Sequence, residues 1–111
     1  MTLQEQYEQL EKTIRGYNAA ADFDQIRAAF EYADKCHEGQ KRKSGEPYII
    51  HPLAVAQIVA DQKLDSESII AALLHDVIED TEATHEDVAR LFSPTIANLV
   101  EGVSKLTRIQ Y

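Results

Sequence analysis

A chain of 111 residues holds one ordinary domain and is too short for two. It is 44% hydrophobic and 27% charged, enough for one core, and its nineteen acids against eleven Lys and Arg leave a net charge of −8. That balance argues against duplex nucleic acid or an anionic membrane as partner, since both demand excess cation, while a small anionic ligand needs only a local basic pocket. The longest apolar run, Ile69–Leu74, falls far short of the roughly 20 residues of a membrane span. The first residues lack the basic and apolar regions of a signal peptide, and the single Cys36 excludes an internal disulfide and fits a reducing compartment. A soluble, cytoplasmic domain is expected.

The apolar period is helical almost throughout. Leu3, Tyr7, Leu10, Ile14 and Tyr17 form one stripe on a first helix, with Gly16 near its end. Asp22 with Gln25 reads as a capping box opening a second helix to about His37, with Phe23, Ile26, Phe30 and Ala33 inward and Gly39 ending it. Residues 39–50 read as a connecting loop, broken by Ser44-Gly45 and Pro47. Pro52 suits the first position of a third helix, which places His51 at or near its N-cap; the body from Leu53 to Ala60 is apolar on most faces and reads as buried. Asp65-Ser-Glu-Ser opens a fourth helix expected to run unbroken through Asp80. Thr84 with Asp87 caps a short fifth bearing Val88, Leu91 and Phe92, and Ser93-Pro94 opens a sixth with Ile96, Leu99, Val100 and Val103 on one face. No strand alternation is sustained, so the fold class is all-α, an irregular helical bundle.

The stretch Leu73-Leu-His-Asp-Val-Ile-Glu-Asp80 carries the most chemistry. His75 and Asp76 sit in an otherwise apolar helix, where a buried charge costs several kcal/mol unless compensated. A metal ion between them is one compensation. Glu79 and Asp80, four residues past His75 and Asp76, continue that face one turn onward, an arrangement suited to activating a water. Buried hydrogen bonds and a solvated helix end account for the same residues, and the pair alone does not choose. Lys35 and the run Lys41-Arg42-Lys43 place four of the eleven basic residues within nine positions, whereas residues 75–87 hold six acids. A cationic loop against an acidic, metal-competent helix suits a ligand with several phosphates; a solvated basic loop explains the charge equally. His37 reads as a polar helix end, His85 as surface, Cys36 as a small buried residue, and Tyr48 either lines a pocket or packs.

Three ordered blocks then become recognisable: 37–52 (His-Glu-Gly-Gln-Lys-Arg-Lys-Ser-Gly-Glu-Pro-Tyr-Ile-Ile-His-Pro), 72–81 (Ala-Leu-Leu-His-Asp-Val-Ile-Glu-Asp-Thr) and 100–106 (Val-Glu-Gly-Val-Ser-Lys-Leu). Together they resemble the N-terminal HD domain of RelA/SpoT (Rel) proteins, the bifunctional GTP pyrophosphokinases and (p)ppGpp 3′-pyrophosphohydrolases of the stringent response. The resemblance runs from about Phe23 to Leu106. It implies His51, His75 and Asp76 as ligands of Mn²⁺, Glu79 and Asp80 as the acidic pair that activates the attacking water, and Arg42 and Lys43, with Ser44 in the same loop, as contacts of the guanine nucleotide. The implied reaction removes the 3′-pyrophosphate of (p)ppGpp.

The family's fourth metal ligand, an Asp in an Asp-Arg-Leu-His-Asn type stretch, follows the Gly-Val-Ser-Lys-Leu block on further helices, and this chain stops at Tyr111. The expectation is therefore residues 1–111 of a partial HD hydrolase domain, with the synthetase and regulatory domains of a longer parent as partners and a homodimer covering the apolar faces left open. A non-catalytic HD module controlling an adjoining (p)ppGpp synthetase domain is the alternative reading, and a phosphohydrolase acting on another nucleotide is a third.

Overall fold

Seven helices follow one another among the described residues of the computed structural model, with no strand: α1 (Leu3–Tyr17), α2 (Phe23–Cys36), α3 (Ile50–Asp61), α4 (Ser66–Leu74), α5 (Val77–Asp80), α6 (His85–Leu91) and α7 (Pro94–Ile109). Residues 2–109 are described, with 103–109 as backbone only, so the expectation for Val103 lies outside the described side chains. The all-α bundle expected from the sequence is what forms.

α4 is the axis of the core. Its residues Ile69 through Leu74 are all buried, so no face is left to water. It packs against α2, α3 and α7, while α1 lies on α3 and α6 on α7. Each fully buried Ile or Leu contributes about 1.5–3 kcal/mol of transfer free energy, which is why the most apolar segment ends up at the centre. Tyr7 stacks on Phe30 at 4.5 Å and joins α1 to α2. The same two helices are tied by Arg27, which donates to both carboxylate oxygens of Glu11 at 2.9 and 3.2 Å.

Helix starts follow their caps. Thr2 and Glu5 form a reciprocal capping box on α1, as do Thr84 and Asp87 on α6. Asp22 accepts from the Gln25 N–H at the start of α2. Ser93 accepts from the Ile96 N–H and Pro94 takes the first position of α7, where a missing N–H is harmless. Gly16 lies inside α1, which runs on to Tyr17.

Two boundaries depart from the sequence reading, and both fall at the site. α3 begins at Ile50 because a turn precedes it, with the Ile50 N–H bonded to the Pro47 carbonyl and the His51 N–H to that of Tyr48. Pro52 thus occupies the third helical position, still among the N–H groups that lack helical partners, and His51 stands inside the first turn rather than at the cap. The expected continuous helix from Asp65 to Asp80 is broken at His75-Asp76. The Ala72 carbonyl, which an unbroken helix would offer to residue 76, is taken by the His75 N–H at 3.5 Å and by its imidazole Nδ1 at 2.6 Å. Asp76 then adopts φ −95°, ψ −5°, the bridge region, before α5 resumes.

Candidate metal centre and its carboxylate flank

The break in α4 is what aims the two site residues. With Nδ1–H donated to Ala72, His75 presents the Nε2 lone pair, which lies 3.1 Å from Asp76 Oδ2. α3 brings His51 from the other side, its Nε2 3.4 Å from the same oxygen. The two imidazole rings meet edge to face at 5.3 Å. One donor atom from each of His51, His75 and Asp76 lies within 4.8 Å of the others. Ligands about 2.1 Å from a single cation stand roughly 3.0–3.4 Å apart, so the two measured separations match a shared ion. Two neutral imidazoles and one carboxylate form a donor set for a divalent transition metal, and the burial of His75 and Asp76 makes a compensating charge valuable.

The electrostatics agree with a carboxylate held ionised. Burial would raise the Asp76 pKa, but the His75 hydrogen bond and charge, the Tyr48 hydroxyl and His51 overcome it and hold the group below the usual range. Burial would lower His75, but its own hydrogen bonds, to Asp76 through Nε2 and to the Ala72 carbonyl through Nδ1, outweigh it and raise its pKa; a cation held at Nε2 would take the place of that proton. His51 goes down, mainly through burial, with His75 and Arg42 adding to the effect against the pull of Asp76.

Tyr48 links this centre to the acidic flank. Its hydroxyl lies 3.0 Å from Asp76 Oδ2 and 2.9 Å from Asp80 Oδ2. Burial, the Asp80 hydrogen bond and the Asp76 charge all push its pKa upward, so it acts as a donor. Glu79 and Asp80 border a cleft with Tyr32, Lys35, Cys36 and Gln40. Arg42, Lys43 and Ser44 border another with Lys41, Tyr48 and His51. The basic residues project from a hairpin-like turn: Lys41 bridges Pro47, the Gly45 N–H bonds to the Arg42 carbonyl, and Gly45 takes φ +89°, a conformation glycine adopts freely.

Of the eight residues singled out from the sequence, Glu79 and Asp80 line one cleft and Arg42, Lys43, Ser44 and His51 the other, while His75 and Asp76 are buried and meet His51, with Tyr48 bonded to Asp76 and Asp80. Four further residues bear on the site. Of the two readings left open for Tyr48, the structure takes the first: it lines the basic cleft, and it also links Asp76 to Asp80. His37 caps the end of α2, as expected, and is buried there, 2% exposed and stacked on Tyr48 at 4.6 Å. Gln40 joins His37 to Asp80. Cys36 is half-buried at the edge of the acidic cleft rather than within the core.

A helical bundle with a His-Asp pair at a helix break and a second His converging on it defines a class, and the family match agrees. The family described as HD domain matches residues 29–111, and the chain belongs to it. Over 105 residues it is 51% identical to the bifunctional (p)ppGpp synthase/hydrolase SpoT of Escherichia coli (strain K12), which covers 95% of this chain and 15% of that one. A guanosine-3′,5′-bis(diphosphate) 3′-pyrophosphohydrolase of Aquifex aeolicus (strain VF5) is 50% identical over 104 residues, 94% of this chain and 15% of its own length. A GTP pyrophosphokinase of Myxococcus xanthus is 51% identical over 96 residues, covering 86% and 13%. Among solved structures, one described as a metazoan ortholog of SpoT that hydrolyzes ppGpp aligns with TM-score 0.66 and 37% identity over 69% of this chain and 46% of that one. The chain thus spans about 15% of the length of the SpoT relative, and the resemblance to RelA/SpoT proteins is borne out. No helix among the described residues is long and apolar enough to cross a membrane.

Proposed function

We propose that this chain is part of a Mn²⁺-dependent (p)ppGpp 3′-pyrophosphohydrolase domain of a Rel-type protein. The convergence of His51, His75 and Asp76 on one point, with Asp80 tied to it through Tyr48, carries the reading. His51 and His75 would hold the cation through Nε2 and Asp76 through its carboxylate. When bound, Mn²⁺ supplies a Lewis acid at the reacting phosphate and makes a nearby water more acidic. Glu79 and Asp80 take the proton of the attacking water, and Asp80 is kept in place for it by the Tyr48 hydroxyl. Arg42 and Lys43 bind the phosphates and base of the nucleotide, with the Ser44 hydroxyl beside them. Water adds to the 3′-diphosphate, the 3′-O–P bond breaks, and GDP or GTP leaves with pyrophosphate.

Three protein donors leave coordination positions for a further ligand and for substrate, in keeping with a domain completed by more helices of the parent. The parent's synthetase and regulatory parts are the proposed partners, and a second copy is the proposed cover for the exposed Leu91 and Leu99. In the full-length parent, Asp76→Asn should cut Mn²⁺-dependent release of pyrophosphate from ppGpp by at least about 100-fold, since it removes the one anionic ligand. Undiminished release would sink the mechanism. A manganese-soaked crystal with no anomalous peak at His75 and Asp76 would favour the regulatory module instead.

A further inference from the structure

Behind the metal centre lies a second layer of polar contacts that none of the metal-ligand, acid-base or nucleotide roles uses. Gln40 is its junction. Its N–H donates to the His37 carbonyl at 2.9 Å and its own carbonyl accepts from the Tyr48 N–H at 3.1 Å. Its side chain reaches in both directions, with Nε2 donating to the Asp80 backbone carbonyl at 2.7 Å and Oε1 lying 3.1 Å from His37 Nδ1. Gly39 at φ +85° turns the chain just before this residue, which borders the acidic cleft.

The proton order along this strut is fixed by its last member. A backbone carbonyl only accepts, so the amide nitrogen of Gln40 must face Asp80 and its oxygen must face His37. His37 Nδ1 is then the protonated nitrogen. The other nitrogen, Nε2, is buried without a hydrogen-bond partner among the described residues. A buried polar atom left open is uncommon in folded proteins. It is explained if the ring's orientation is chosen for its other two contacts, the Gln40 bond and the face it lays on Tyr48, with planes 27° apart.

We propose that His37 and Gln40 are positioning residues for the carboxylate flank: His37 backs the Tyr48 ring and, through Nδ1–H, holds the Gln40 side chain in place, and Gln40 ties the end of α5 to the loop so that Asp80 and the Tyr48 hydroxyl stay in register with Asp76. The Asp80 carbonyl ends α5 and has no later turn to bond to, so the Gln40 amide supplies its partner across 40 residues of sequence. Two contacts from one strut therefore fix both ends of the 2.9 Å Tyr48–Asp80 hydrogen bond. The side chains of the strut contact Asp80 and Tyr48, and its effect reaches the reaction through Asp80. This inference rests on the hydrolase reading above.

The test is made in the full-length parent. Gln40→Leu keeps the side chain's bulk and removes both hydrogen bonds; His37→Phe keeps the stack and removes Nδ1; His37→Asn places an amide nitrogen where Nδ1 stood and loses the stack. Expected are about a 10–100-fold loss of kcat for Gln40→Leu and for His37→Phe with KM changed less than about threefold, and a double variant no worse than either single. His37→Asn should recover part of the loss suffered by His37→Phe. Independently of activity, long-range ¹H–¹⁵N spectra of the metal-free chain should show His37 as the Nδ1–H tautomer, and Gln40→Leu should shift it toward Nε2–H. A kcat within twofold of the unsubstituted protein overturns the proposal, as does a loss that only follows lost helicity in all three variants. An unsubstituted protein that releases no pyrophosphate while showing the tautomer shift would instead overturn the hydrolase reading and leave the strut standing.

Discussion

One phenolic proton serves two carboxylates at this site, since Tyr48 is within hydrogen-bond distance of both Asp76 and Asp80. Without it two anionic oxygens would face each other in a partly buried space, and the exposed Asp80 would be free to swing toward solvent. Tyr48→Phe keeps the ring, and hence the stack on His37 and the edge contact with His51 at 6.0 Å. It removes only the donor. The expected result is a loss of about 10–100-fold in Mn²⁺-dependent kcat, in the range of orienting contacts around metal sites, with thermal stability nearly unchanged. Steady-state kinetics beside a melting curve would check it, and a kcat equal to that of the unsubstituted protein would remove Tyr48 from the mechanism. Residue chemistry was partly legible in the sequence. His75, Asp76 and the acids after them stand out because they interrupt an apolar run. Tyr48, Gln40 and His37 do not, since their partners lie 28 to 40 residues away or across a ring face, and no local spacing encodes such contacts.

Helices are the scale at which the site acquires its shape, and α4 and α5 show how. The period of the apolar residues continues through Asp80, so a sequence reading sees one helix. What splits it is a side-chain contact, the His75 imidazole on the Ala72 carbonyl, and that competition is invisible until the ring has a rotamer. The capping box of Thr84 and Asp87, by contrast, is spelled by residue type and spacing, and it forms as read. The start of α3 was legible only to within two residues, because Pro52 permits a first-turn position without choosing which. Rigidity of the site follows from the burial of α4, whose six apolar residues anchor the segment leading into His75. Leu73→Ala should therefore lower the unfolding free energy by about 2–5 kcal/mol, the span seen where a fully buried Leu leaves a cavity. Urea titration with an unchanged m-value would establish it. A loss below about 1 kcal/mol would mean that α4 is less enclosed than its burial indicates.

For the whole molecule, charge also acts away from the site, and α1 shows how. α1 bears no site residue, yet it packs on α3, which carries His51, and is pinned to α2, which His37 caps. The pin is Glu11, largely buried, with Arg27 on two oxygens and Arg15 at 3.5 Å. Burial would raise the Glu11 pKa, but the neighbouring Tyr7 hydroxyl and the Arg27 and Arg15 charges outweigh it and hold the carboxyl below its ordinary 4.5. A carboxyl depressed in the folded state adds stability that is fully present above its unfolded pKa and is lost as pH falls through the folded one. Glu11→Gln should therefore destabilise the protein at pH 7, and the gap between the two urea midpoints should close as pH drops below about 4. Because the Arg27 side chain is 55% exposed, 1 M salt should shrink the gap at pH 7 as well. Paired urea titrations from about pH 3 to 7, at low and high salt, decide the matter. A gap that stays constant across that range would show that the amide substitution acts through packing, and that α1 is held to α2 by Tyr7 and Phe30 rather than by charge.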